Sequence, residues 1–134
     1  PSLDIRRDDN DYALAAKMID IWRQAAGPLL YGDYYPHTPF HRSSQKWVAW
    51  QFDCPETRCG FVQGIRLPES TDAAITIQMK AVHAGEKYVF ENVETGAIKE
   101  MPGHQLLERG LTFALAPRSG AIWFYRRVVM GEGA

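Results

Sequence analysis

The sequence is short of the features that would assign it a chemistry. No apolar run approaches the roughly 20 residues that a bilayer-spanning helix needs. The opening segment, PSLDIRRDDND, has no apolar stretch of the signal-peptide kind. A soluble, cytoplasmic protein with no membrane partner is the expectation. Basic residues are not massed either: 15 Lys and Arg face 16 Asp and Glu, for a net charge of −1. Scattered in this way they form no stripe to neutralise a phosphate backbone, and no nucleic-acid partner is expected. No serine lies in a G-x-S-x-G setting, and no glycine-rich loop follows a strand and opens a helix. Acyl transfer and nucleotide binding therefore have no support. There is no internal repeat and no low-complexity tract, and no cofactor is implied.

Cysteine is scarce. Cys54 and Cys59 are the only two, spaced C-x4-C. A tetrahedral zinc site needs about four ligands, and no second pair exists. A catalytic dithiol is more usually C-x-x-C. Two half-buried thiols beside a hairpin loop, or a disulfide closing that hairpin, remain. Of the four histidines, His37 and His41 share a loop, but two ligands are too few for a metal site. A glycosidase needs two carboxylates across a cleft, about 5–9.5 Å apart. Asp33, Asp53, Glu56, Glu69 and Asp72 fall on expected loops, yet no spacing pairs any two of them. They read as solvated or turn-capping acids.

Aromatic residues are what the chain does have. Tyr31 to Phe52 reads YGDYYPHTPFHRSSQKWVAWQF and holds seven of them. In its first half, Gly32, Asp33, Pro36 and Pro39 oppose any regular element, so a long loop is expected. Its second half, Lys46 to Asp53, has strand composition. Asp8 to Ala26 reads as a helix, capped by Asp8 or Asp9 and stopped by Gly27-Pro28. Leu14, Met18, Ile21, Trp22 and Ala25 recur on one face of it.

Lys46 to Asp53 and Gly60 to Arg66 make the clearest hairpin. With Cys54 opposite Cys59, Phe52 faces Phe61, Trp50 faces Gln63 and Val48 faces Ile65. The other face pairs Trp47 with Arg66, Ala49 with Gly64 and Gln51 with Val62. An exposed Trp47–Arg66 contact would be a cation–π pair of roughly 0.5–1 kcal/mol. Further strands are expected at Ala74 to Val82, Lys87 to Asn92, Ala97 to Met101, Leu111 to Leu115 and Ala121 to Val128. A short helix is expected at Gly103 to Arg109, stopped by Gly110. Seven short strands with turns between them predict a mainly β chain, an antiparallel β-sandwich preceded by one amino-terminal α-helix. The expected core is Val48, Trp50, Phe52, Phe61, Ile65, Ile77, Phe90, Phe113 and Phe124. On that reading Trp50→Ala costs about 3–5 kcal/mol.

These segments carry a resemblance. LYGDYYPHTP after a helix ending IWR, followed by WVAWQFD, resembles the junction between the catalytic barrel and the C-terminal β-sandwich of bacterial α-galactosidases in glycoside hydrolase family 36. The likeness continues through FVQGIRLPES, ENVETG and GHQLLERGL, in the same order and over nearly the whole chain. The family's catalytic aspartates lie in a barrel that would precede these residues. The resemblance thus implies a non-catalytic accessory domain of a carbohydrate-metabolising enzyme, bracing a barrel absent from this chain. Residues 1–27 would be the last barrel helix, 28–45 an aromatic loop or linker, and 46–134 the β-sandwich. A start near the beginning of a last barrel helix fits a piece of a longer protein. The alternative is a carbohydrate-binding module in which Tyr34, Tyr35, Trp47 and Trp123 form a stacking platform, although the same aromatics also suit packing the loop and helix onto the sheet. With no barrel to cover it, the helix stripe is expected to drive a homodimer in which two helices meet.

Overall fold

The computed structural model describes residues 6–129; residues 1–5, the start of the amino-terminal segment read above, lie outside the described residues. The architecture is mainly β, with one amino-terminal helix. The elements are α1 (Tyr12–Tyr31), β1 (Asp33–Pro36), β2 (Trp47–Cys54), a 3₁₀ turn (Pro55–Thr57), β3 (Cys59–Arg66), β4 (Ala74–Ile77), β5 (Glu86–Asn92), β6 (Ile98–Pro102), α2 (Gly103–Arg109), β7 (Leu111–Ala114) and β8 (Ser119–Val129). Six strands form one antiparallel sheet in the order β1-β2-β3-β8-β5-β6, and β4 pairs with β7 in a second, smaller sheet. The long strand β8 enters between β3 and β5, tying the end of the chain to its middle.

The β2–β3 register matches the expected one residue for residue, from Trp47↔Arg66 to Cys54↔Cys59. The face turned to the core does not. Trp47, Ala49 and Val62 are buried together with Ile77, Met79, Tyr88, Phe90, Leu106, Leu111, Phe113 and Tyr125. Val48, Trp50, Phe52 and Ile65 are only half-buried, on the opposite face, and so is Phe124. On that opposite face Phe61 is buried, in a row with Phe52 at 5.1 Å and Phe124 at 5.7 Å between ring centroids, while Ile77, Phe90 and Phe113 of the expected core are buried on the inner face. Two features select the inner face. Gly64 has no side chain where the Phe113 ring crosses from the small sheet; a Cβ there would meet that ring at 3.0 Å. Gln51 and Asp53, polar residues on the inner face, find partners inside the core.

Other departures have local causes. The helix is capped by Asp11, whose side chain accepts from Leu14 N at 2.9 Å, while Asp9 is engaged with Arg7. It runs through Gly27-Pro28 to Tyr31. A proline in the last turns forfeits one backbone hydrogen bond, and Pro28 is buried against the sheet, with Gly32 N donating to its carbonyl at 2.9 Å. The predicted loop contains a strand, β1, which is tolerated because it lies at the sheet edge with Pro36 at its end. β4 stops at Ile77 instead of Val82 because the Lys80 backbone bonds to the Gln51 side chain, and Ala81 turns the chain at φ 57°. Trp47 is buried and donates its Nε1–H to Asp72 O at 2.8 Å. Arg66 donates to the carbonyls of Leu115 and Ser70.

Candidate functional site

Helix α1 lies across the outer face of the six-stranded sheet, the side opposite β4 and β7. Ile21, Ala25 and Ala26 are half-buried against the sheet, and Pro28 is fully buried. Leu14, Met18 and Ile21 form one wall of a groove of about 430 Å³, with Ile65 and Ile122 of the sheet opposite and Lys17 and Arg118 on the lining. The sheet covers only one edge of the helix stripe. Leu14 and Met18 remain about half exposed and Trp22 is 60% exposed, next to an exposed Ile19. At the far end Leu30, Tyr31 and Tyr34 are exposed, and on the following loop Phe40 is 90% exposed. Apolar surface costs about 25 cal/mol per Å² when left in water. Large contiguous apolar patches are uncommon on the surface of monomeric proteins.

The four residues of the expected stacking platform do not share a surface. Tyr34 stands opposite Phe52 on the helix side, whereas Tyr35 stands opposite Gln51 on the core side. Trp47 is 4% exposed and belongs to the core, and Trp123 packs against the same cluster. The cause is strand alternation: Tyr34 and Tyr35 are neighbours in sequence and therefore point to opposite faces.

Beneath the core face runs a buried polar chain that sequence reasoning missed. Gln51 Oε1 accepts from His37 Nε2 at 3.0 Å and from Lys80 N at 2.9 Å. Its Nε2 donates to Lys80 O at 2.9 Å and to the Tyr125 hydroxyl at 2.8 Å. The amide thus stands in for a strand backbone, with all four of its hydrogen-bonding capacities used. Tyr125 passes the chain on, donating to Asp53 Oδ1 at 2.7 Å. Gly60 leaves the room this requires; a Cβ there would lie 2.6 Å from the Tyr125 hydroxyl. The second buried cluster is next to it: Tyr88 donates to Glu86 at 3.1 Å, and Glu86 faces Arg127 at 3.6 Å. The available signal was a Gln and an Asp two apart on the same face of an aromatic strand.

Burial sets the protonation of these groups. It raises the Asp53 carboxyl above its ordinary 3.8, against the opposing pull of Tyr125 and Arg127 and with a further push from Asp33. Asp53 Oδ2 is buried without a partner among the described residues, which adds to the cost of ionising the group. Burial, then the Asp53 charge, raises Tyr125; burial, with Glu86 close by, pushes Tyr88 up to about 12. Burial lowers His37, against its bond to Gln51. A raised carboxyl favours the fold fully below its ordinary 3.8, and that contribution is lost as pH rises through the folded value. Asp53→Asn keeps the acceptor for Tyr125 and cannot ionise. Urea midpoints across the acid range are expected to fall less steeply with rising pH in this variant than in the unchanged protein.

Asp33 and Asp53 are register partners across β1 and β2, a carboxylate pair that spacing did not reveal. Asp53 is buried and does not line the groove beside α1. His37 and His41 turn to different partners, Gln51 and the carbonyl of Trp47. Among the described residues no three His, Cys, Asp or Glu side chains cluster as metal ligands. None of the helices described is long and apolar enough to cross a membrane.

No family model matches the sequence, and no curated protein does. Solved structures do match. An α-galactosidase from Lactobacillus brevis is similar over 99% of this chain and 19% of its own, at 12% identity and a TM-score of 0.72. The family 36 α-galactosidases AgaA and AgaB from Geobacillus stearothermophilus are similar over 95% and 94% of this chain, at 16% and 15% identity, with TM-scores of 0.71 and 0.70. The match takes up 17% of each of those two chains. The fold is therefore that of a small part of family 36 α-galactosidases: the chain spans less than a fifth of the length of the structures it matches.

Proposed function

We propose that the chain is a non-catalytic accessory domain of an α-galactosidase-type glycoside hydrolase, the C-terminal β-sandwich that braces a catalytic barrel. The observation that carries this reading is the asymmetry of coverage: nearly all of this chain, and 17–19% of each larger enzyme. The exposed apolar run on α1 supports it, since a barrel is the partner that such a face would be built to meet. Residues 1–27 belong with the barrel on this reading, and residues 46–134 form the bracing sandwich. The chain by itself has no turnover. Assayed on nitrophenyl α-galactosides, it is expected to release no nitrophenol above a buffer control; hydrolysis would overturn the reading.

In the absence of a barrel the same face has a substitute partner in a second copy of the chain, helix against helix. Sedimentation at micromolar concentration is expected to give a dimer, reduced to monomer by Met18→Glu or Trp22→Glu. A monomer for the unchanged chain would remove the helix face from the argument.

A further inference from the structure

We propose that Cys54 and Cys59 form a reversible dithiol–disulfide site, with Cys59 as the attacking thiol and Cys54 as the resolving one. They are the last register pair of the β2–β3 hairpin, and both are free thiols. Directly paired antiparallel residues have Cα atoms about 4.5–5.5 Å apart, inside the ~4.4–6.8 Å that a disulfide spans. Cross-strand partners also point to the same face. Each thiol now bonds to a side chain of the turn between them: Cys54 Sγ lies 3.6 Å from Glu56 Oε2, and Cys59 Sγ lies 3.0 Å from Thr57 Oγ1. Neither cysteine belongs to the main core cluster.

The turn is held in place from outside. Arg58 N donates to Pro55 O at 3.2 Å, and from β8 Arg127 donates to Arg58 O at 2.8 Å and to Pro55 O at 3.0 Å. The two strand ends are thereby fixed beside one another before any bond forms. Access distinguishes the sulfurs. Cys54 is buried, whereas Cys59 is half-buried and lines a groove of about 350 Å³ with Gln24, Phe124 and Arg126. The sequence contains no third cysteine, so no other pairing within the chain competes.

The oxidant is a low-molecular-weight disulfide. The Cys59 thiolate attacks one of its sulfurs, forming a mixed disulfide and releasing one small thiol. The Cys54 thiolate then attacks Cys59 Sγ, closing the Cys54–Cys59 bond and releasing the second small thiol. Two protein thiols are oxidised by two electrons, one small disulfide is reduced, and the two protons leave on the released thiols. Closure makes the end of the β2–β3 hairpin covalent at the point where the chain leaves α1. Gly32 is packed so tightly there that a Cβ would lie 2.6 Å from the Asp53 carbonyl.

The test is oxidation of the folded chain by oxidised glutathione, followed by alkylation and intact mass measurement. The unchanged protein is expected to lose two hydrogens, to take up no alkylating agent, and to recover both thiols in dithiothreitol. Cys54→Ser is expected to stop at a single glutathione adduct on Cys59. Cys59→Ser, left with the buried thiol, is expected to form its adduct about tenfold more slowly. Two alkylatable thiols remaining in the unchanged protein, glutathione adducts that never close, or disulfide-linked dimers would each overturn the proposal. Equal adduct rates in the two variants would overturn the assignment of roles.

Discussion

Phe90→Ala is expected to lower the unfolding free energy by about 3–5 kcal/mol, the usual cost of emptying a buried aromatic site. Phe90 is fully buried and packs against Tyr125 with the rings tilted at 45° and 5.6 Å between their centroids. Trp50→Ala, the larger deletion by volume, is expected to cost only about 1–2 kcal/mol, because Trp50 is half-buried on the helix side. Urea midpoints of the two variants decide the matter. A Trp50→Ala loss equal to that of Phe90→Ala would put the principal core under the helix, contrary to the packing described here.

Gln51→Met should be comparably damaging for a different reason. Methionine fills nearly the same volume, so packing changes little. Four bonds are lost together, to His37, to both backbone groups of Lys80 and to Tyr125. A buried polar group left without a partner costs about 1–3 kcal/mol, and the Lys80 groups have no strand to turn to. The expected loss is at least about 3 kcal/mol, measured by denaturation. Tyr125→Phe removes the bond from Gln51 Nε2 and the bond to Asp53 Oδ1 but leaves the three other Gln51 bonds in place, and is expected to cost less, about 1–2 kcal/mol. A neutral Gln51→Met would mean that water replaces the amide readily and that the polar chain does not hold the Met79–Lys80 segment in place.

Much of this architecture was legible from residue order, and the failures share a physical origin. The β2–β3 register followed from one assumption, Cys54 opposite Cys59, because a short hairpin fixes all later pairs. Which face pointed inward did not follow. Both faces of this sheet are covered, one by α1 and the other by β4, β7 and α2, so Trp47 and Trp50 looked equally suited to a core. Gln51 and Asp53 argued for an outward face until Lys80 and Tyr125 were seen to satisfy them. That partnership is non-local, separated by 29 and 74 residues, and no pattern along one strand reveals it. The same holds for the place of β8 between β3 and β5. Proline misled twice: at Pro28 a buried ring is accommodated in the last turns of a helix, and at Pro36 the missing amide falls at the end of an edge strand. Within the platform of Tyr34, Tyr35, Trp47 and Trp123, alternation sets Tyr34 apart on the helix side, which the sequence contained once β1 was known to be a strand, while the burial of Trp47 in the core was not readable along the chain.

The proposed role as an accessory domain is tested most directly by the size of the polypeptide that carries these residues in its source cells. An antibody raised against the purified 134-residue chain, used on a denaturing gel of cell extract, reads that size. The account predicts a band several-fold heavier than 15.2 kDa, since the same fold makes up only 17–19% of the α-galactosidase chains it matches. A band at 15.2 kDa and none above it would contradict the account.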